Sequence, residues 1–341
     1  MTKQFLVDQI KAKHSYLCVG LDTDIEKLPA HLPKNKEGVI AFNKAIIDAT
    51  APFCVSYKLN TAFYESQGLA GWEAMEATLA HIPSTHFTIA DAKRGDIGNT
   101  SAQYAKTFFE VLPFDAITVA PYMGKDSIDP FLAYTNKFTI VLGLTSNAGS
   151  ANFEQQKLAN GQFLYESVLE QVSSWSSAEQ LMFVVGATKA EDLASIRKII
   201  PNHFLLVPGV GAQGGSLEEV TKYGKNNDIG LLVNASRAII FASSEKDFAE
   251  QAEKQAKKMA FDADELSNSK EKSIKELRAL SRAMDDTLLF ARILPSGSVV
   301  HMGNKFSRLF KVPKFNESGM FWNILSRVES EQLALESLIS K

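Results

Sequence analysis

In the run Thr88-Ile89-Ala90-Asp91-Ala92-Lys93-Arg94-Gly95-Asp96-Ile97-Gly98-Asn99-Thr100, an apolar stretch gives way to acids and bases. Asp91 and Lys93 stand two apart, so on an extended strand their side chains leave the same face, and one carboxylate converges with one ammonium. Gly95 allows a turn, and Asp96 follows on the loop before a helix expected to begin near Gly98. Convergent acids and bases serve proton transfer and charge stabilisation. The plain alternative is a solvated turn, which is what charged residues after a strand usually form.

What surrounds this run decides between the two. Short runs of apolar or β-branched residues recur at Leu17 to Leu21, Cys54 to Tyr57, His86 to Ala90, Ala116 to Ala120, Phe138 to Leu142, Leu181 to Gly186, His203 to Val207 and Gly230 to Asn234. Most alternate with helical-period segments: Val39 to Thr50, Trp72 to His81, Thr100 to Val111, Phe163 to Val172 and Glu191 to Ile200. Near-continuous apolar strands between helices predict a parallel sheet covered by helices. Eight such units in about 240 residues match an α/β fold, the closed (β/α)8 TIM barrel, with a doubly wound open sheet as the competing arrangement.

The barrel demands functional groups where strands end. Strand one runs into Asp22 and Asp24, strand two into Lys58 and Asn60, strand three into Asp91 and Lys93, strand five into Thr145-Ser146-Asn147, and strand eight into Asn234-Ala235-Ser236-Arg237. A comparable set is not expected at the strand starts. After strand seven, Pro208-Gly209-Val210-Gly211-Ala212-Gln213-Gly214-Gly215-Ser216 contains a G-x-G-x-x-G. A dinucleotide fold would want an acid at the end of the next strand, and the only candidate, Asp228, precedes it. Glycines that bring backbone N–H groups to an anion at a helix start fit the run better, and Ser216 with Glu219 has capping-box spacing. Arg237 is placed to grip the same phosphate.

The bulk properties narrow the class. The chain has 341 residues, 45% hydrophobic and 22% charged, with a formal net charge of −3. No basic surface points to a nucleic-acid partner. No apolar run reaches the length that spans a bilayer, so neither a membrane partner nor a membrane anchor is expected, and a cytoplasmic location is. Cys18 and Cys54 lie in apolar runs without metal or redox spacing and are expected as buried, reduced thiols. The six histidines lack metal-ligand spacing.

These motifs, together with Gly20-Leu21-Asp22 and Tyr57-Lys58, occur in order on successive strands and resemble the orotidine 5'-phosphate decarboxylase family, in its longer bacterial branch with the DAKRGDIG signature. The resemblance covers residues 1 to 262. It implies cofactor-free and metal-free decarboxylation of orotidine 5'-phosphate to uridine 5'-phosphate, the last step of de novo pyrimidine nucleotide synthesis. Lys58, Asp91, Lys93 and Asp96 match the family's catalytic lysine–aspartate tetrad, and Asp22 matches its ribose contact. Ser146 matches the pyrimidine contact, Gln213 the gate over the phosphate, and Arg237 the phosphate ligand, with Pro208, Gly214 and Gly215 in the cradle. Asp96 and Thr100 would complete the site of the neighbouring subunit in a homodimer. Loss of carbon dioxide leaves charge on a carbon with no carbonyl to delocalise it, so Lys93 would supply a cation and then a proton.

Two rival readings remain. A magnesium-dependent sugar-phosphate decarboxylase of the same suprafamily would share the barrel but would want an acid where Lys58 stands. A non-catalytic phosphate-binding barrel would have no use for a complete tetrad. Beyond the barrel, residues 263–273 read as a polar linker, and residues 274–341 as a small α+β appendage of unknown role. The appendage has a helix at Ile274 to Met284, strands at Leu288 to Leu294 and Ser298 to Met302 joined by Pro295-Ser296-Gly297, and a helix at Ser326 to Ile339. Its hairpin faintly resembles the opening of a PAS domain.

Overall fold

The structure, a computed structural model, describes residues 1–187, 190–210, 215–266, 291–293, 299–302, 304 and 308. Eight short strands carry the apolar runs: β1 (Leu17–Gly20), β2 (Ser56–Asn60), β3 (Phe87–Arg94), β4 (Ala116–Val119), β5 (Phe138–Leu144), β6 (Leu181–Val185), β7 (Phe204–Pro208) and β8 (Leu231–Ala235). Each pairs in parallel with the next, and Leu17↔Val233 and Cys18↔Asn234 join β1 to β8, closing the barrel. Val19, Ile89, Ile117, Val141, Phe183 and Leu232 are all buried. Burial on both faces is why the strands read as unbroken apolar runs and not as alternating ones.

Helices return the chain between strands: α1 (Lys3–Lys13), α2 (Lys36–Thr50), α3 (Ala62–Glu65), α4 (Leu69–His81), α5 (Gly98–Lys106), α6 (Lys125–Leu132), α7 (Leu164–Ser173), α8 (Ala190–Ile199), α9 (Leu217–Gly224) and α10 (Arg237–Ile240). Starts are set by side chains that accept orphan N–H groups: Thr2 from Phe5, Asn35 from Gly38 and Ser216 from Glu219, the last as its spacing predicts. The segment expected as one helix from Thr100 to Val111 is α5 followed by a π-helical turn, Thr107–Val111.

A last helix, α11 (248–266), packs its alanines at 252, 256 and 263 against the barrel. The linker expected from residue 263 therefore starts too early. Ala263 is buried, its carbonyl accepts from the Tyr16 hydroxyl at 3.3 Å, and Asp264 meets His14 at 3.2 Å. The polar residues face solvent on a helix whose other side is held.

The strand starts are not bare either. A cavity of about 610 Å³ there includes His86, Thr88 and Asp115. Asp115 is used in stitching: it pairs with the Met1 amine at 3.1 Å and accepts from the Thr88 N–H and hydroxyl at 3.0 and 2.9 Å.

The chain divides into two compact units, Met1–Ser267 and Asn268–Lys341. In the second, β9 (Ala291–Ile293) and β10 (Val299–Met302) pair antiparallel, Val299 opposite Ile293 and Met302 opposite Ala291. The expected helices of the appendage and the Pro295-Ser296-Gly297 turn lie outside the described residues.

Candidate active site

The strand ends open onto a cavity of about 340 Å³ whose lining includes Asp22, Lys58, Asp91, Lys93, Ser146 and Arg237. Register explains the gathering. Gly20 pairs with Lys58, Lys58 with Ile89 and Asn60 with Asp91, so the C-terminal ends of β1, β2 and β3 bring Asp22, Lys58 and Asp91 to the same barrel mouth.

At its centre the Lys58 ammonium donates to Asp22 Oδ1 at 3.0 Å and to Asp91 Oδ2 at 2.9 Å, while Lys93 Nζ donates to Asp91 Oδ1 at 2.6 Å. Lys58 is 4% exposed and Asp91 9%, so these charges are held largely out of water. Burial alone would raise the Asp91 carboxyl, but Lys58 and Lys93 outweigh it and hold it well below the ordinary carboxylate range. Burial alone would lower Lys58, but Asp91 and Asp22 outweigh it and raise it above the ordinary lysine value. The network is thus alternately charged, and each charge is paired.

Lys93 meets Asp91 by a route that alternation on a strand does not describe. Its φ is 47°, in the left-handed region, and the β3–β4 register shifts between Ala90 and Arg94. The connection expected at Gly95 does run through residues 95–97, between β3 and α5, and positive φ falls on either side of it, at Lys93 and at Gly98, whose φ is 46°. Thr118 of β4, which sequence reasoning missed, fixes both sides of this arrangement: its hydroxyl accepts from the Lys93 N–H at 2.9 Å and donates to Asp91 Oδ1 at 3.0 Å. The only available signal was a threonine inside an apolar strand.

On the opposite wall, Glu154 ties down the Thr145-Ser146-Asn147 loop by accepting from the Thr145 N–H at 2.7 Å and its hydroxyl at 2.9 Å. Asn147 also lines the cavity. Asn234, singled out at the end of strand eight but given no role there, contributes a buried Oδ1 without a hydrogen-bond partner among the described residues, and the Ser236 hydroxyl is likewise buried and without a partner among them. Beneath the β1 end, Thr23, Asn43, Tyr64 and Thr78 form a buried hydrogen-bonded group whose Tyr64 hydroxyl donates to the Leu21 carbonyl at 2.9 Å.

Pro208 and Gly209 line the cavity where β7 ends. Gly215 does not; a side chain there would come within 2.5 Å of Ala187 Cβ, so the glycine lets the loop close on β6. Gln213 and Gly214 lie outside the described residues. Asp96 and Thr100 are not brought to the cavity: the Asp96 carboxylate accepts from the Ile97 N–H at 2.8 Å, and the Thr100 N–H donates to the Ile97 carbonyl at 3.2 Å. Among the described residues no ion pair joins Asp96 to Lys58 or Lys93, and no group of three or more His, Cys, Asp or Glu is arranged to hold a metal ion.

A closed (β/α)8 barrel whose mouth holds an alternating Asp–Lys–Asp–Lys network defines an enzyme class. The sequence matches the Orotidine 5'-phosphate decarboxylase / HUMPS family over residues 15–278, and the chain belongs to that family. It is 58% identical over 262 residues to the orotidine 5'-phosphate decarboxylase of Phocaeicola vulgatus, covering 76% of this chain and 96% of that protein. It is 57% identical over 273 residues to the enzyme so named in Flavobacterium johnsoniae, covering 79% of this chain and all of that protein. Among solved structures, Leishmania donovani OMP decarboxylase superposes with a TM-score of 0.66 at 34% identity, covering 76% of this chain and 99% of that one.

Proposed function

We propose that this chain is a carboxy-lyase that converts orotidine 5'-phosphate to uridine 5'-phosphate, the closing step of de novo pyrimidine nucleotide synthesis, without metal or organic cofactor. The observation that carries the reading is the Asp22–Lys58–Asp91–Lys93 chain of ion pairs at the barrel mouth, in a sequence 58% identical to a decarboxylase of that name.

Departure of carbon dioxide leaves an electron pair on the pyrimidine carbon. Lys93, half exposed to the cavity, faces that carbon, stabilises the charge and delivers a proton to it. Asp91 holds Lys93 in position, and Lys58 balances Asp91 and Asp22. Because the network is fixed before substrate arrives, little reorganisation accompanies the charge that develops. Asp22 takes the ribose, Ser146 the pyrimidine, and Arg237 the phosphate with Pro208, Gln213, Gly214 and Gly215. Binding energy from that remote phosphate helps to organise the reacting end.

Asp96 and Thr100 serve the site of a second copy in a homodimer. Their position outside their own cavity supports this, as do exposed apolar residues beside them: Ile97 is 57% exposed and Tyr122 87%, with Met123 within 3.9 Å of the Cβ position of Gly95. No helix among the described residues is long and apolar enough to cross a membrane, which supports a cytoplasmic enzyme. The barrel unit carries the reaction.

A metal-dependent reaction on a sugar phosphate would need Asp22 and Asp91 to bind a cation, whereas both already accept hydrogen bonds from Lys58. Loss of orotidine 5'-phosphate absorbance, followed with excess EDTA present, tests the proposal. Turnover unaffected by the chelator is expected; turnover that stops and returns with magnesium would reject it.

A further inference from the structure

Lys93 occupies a left-handed backbone conformation, which is unfavourable for a residue with a side chain, and something must hold it there. Arg94, the next residue, is built to do so. Its side chain is 21% exposed and does not line the cavity. Its guanidinium lies 5.2 Å from the Tyr104 ring and 5.5 Å from the Phe108 ring, both on the helical segment that follows β3. Nη2 donates to Glu65 Oε1, and Nη1 turns back to the Ala92 carbonyl at 3.3 Å.

We propose that Arg94, held by Glu65, Tyr104 and Phe108, is a positioning residue that fixes the backbone of Lys93 so that its ammonium meets the reacting carbon. This rests on the reading of Lys93 as the proton donor. The Ala92 carbonyl is held by the guanidinium and the Lys93 N–H by Thr118, so the peptide unit that leads into Lys93 is tied at both its oxygen and its nitrogen, and the Arg94 carbonyl accepts from the Ala120 N–H at 2.8 Å. Glu65 ends α3, which follows the strand that carries Lys58. One side-chain pair therefore links the helix that follows the Lys58 strand to the end of the Lys93 strand. A lysine at position 94 would keep the charge but lose the planar fork that reaches both Glu65 and the Ala92 carbonyl.

The test measures kcat and uridine 5'-phosphate affinity for Arg94→Ala and Arg94→Lys. Misplacement of a reacting group by about 1 Å costs on the order of a hundredfold, so kcat is expected to fall roughly 10- to 100-fold in both, with product affinity within about threefold of the parent. Ethylguanidinium at tens of millimolar should restore part of the lost kcat of Arg94→Ala in a saturable way, which a purely structural role would not produce. Should Arg94→Ala fail to fold, Arg94→Lys carries the test by its split between kcat and product affinity. Parental kcat, absence of rescue in folded Arg94→Ala, or an equal loss of product affinity would overturn the positioning role. Lys93→Ala serves as the control. If it keeps turnover, the reading of Lys93 itself fails; if it is dead while the Arg94 variants are normal, only the positioning role fails.

Discussion

Asp91 accepts three hydrogen bonds, from the Lys58 ammonium on one oxygen and from the Lys93 ammonium and the Thr118 hydroxyl on the other. Two cations and a hydroxyl around one buried carboxylate make it the hinge of the network. Removing its charge leaves Lys58 buried with Asp22 as its one remaining anionic partner, so Asp91→Asn should lower the thermal midpoint as well as abolish turnover, which thermal unfolding and activity measure together. Thr118→Val removes one hydrogen bond to a charged group, worth about 1.5–3 kcal/mol, and should lower kcat roughly tenfold or more while leaving product affinity near parental. An unchanged kcat would mean that Thr118 only fills space. Asp91, Lys58 and Lys93 were legible as site residues because charge at a strand end has no packing use. Thr118 was not, because an inward β-branched residue looks like ordinary strand packing until its hydroxyl is located.

At the scale of elements, the strands could be read but their ends could not. Lys58, Asn60, Asp91 and Lys93 are strand residues, and β3 runs to Arg94, four positions beyond its last expected apolar residue. A polar residue inside a strand is legible only when its destination is known. The extra helical turn at 263–266 was missed for the converse reason, since one buried alanine per turn leaves a mostly polar sequence. At the start of β7, His203 is 9% exposed, edge-on to Phe183 at 5.4 Å, and neither ring nitrogen has a partner among the described residues. Burial, with Arg197 and Lys3 nearby, lowers its pKa to about 4. Below about pH 6.5 the unfolded chain binds a proton that the folded chain refuses, so stability is lost as pH falls from about 6.5 toward 4. His203→Phe should reduce the drop in thermal midpoint between pH 7 and pH 5; an identical drop would remove His203 as its source.

At the scale of the whole molecule, the unused position of Asp96 makes a quantitative demand on assembly. If Asp96 acts across a two-fold interface, mixing Lys93→Ala with Asp96→Asn protomers regenerates one intact site in each mixed dimer, and random exchange should recover about one quarter of parental activity. Two inactive proteins that stay inactive after exchange would place Asp96 in its own subunit's site. The Flavobacterium johnsoniae relative is matched along its whole length, so a barrel without an appendage is a complete protein in that relative. A chain ending at Ser267, which keeps α11, should therefore show the kcat of the full chain. A fall would give the appendage a part in the reaction.

The central claim is that Lys93 protonates a carbanion formed at the barrel mouth, and Lys93→Ala tests it most directly when carbon dioxide release and uridine 5'-phosphate binding are measured on the same preparation. The account predicts a loss of kcat of at least about 10²- to 10⁴-fold with product affinity nearly unchanged. Carbon dioxide release at close to the parental rate would contradict it.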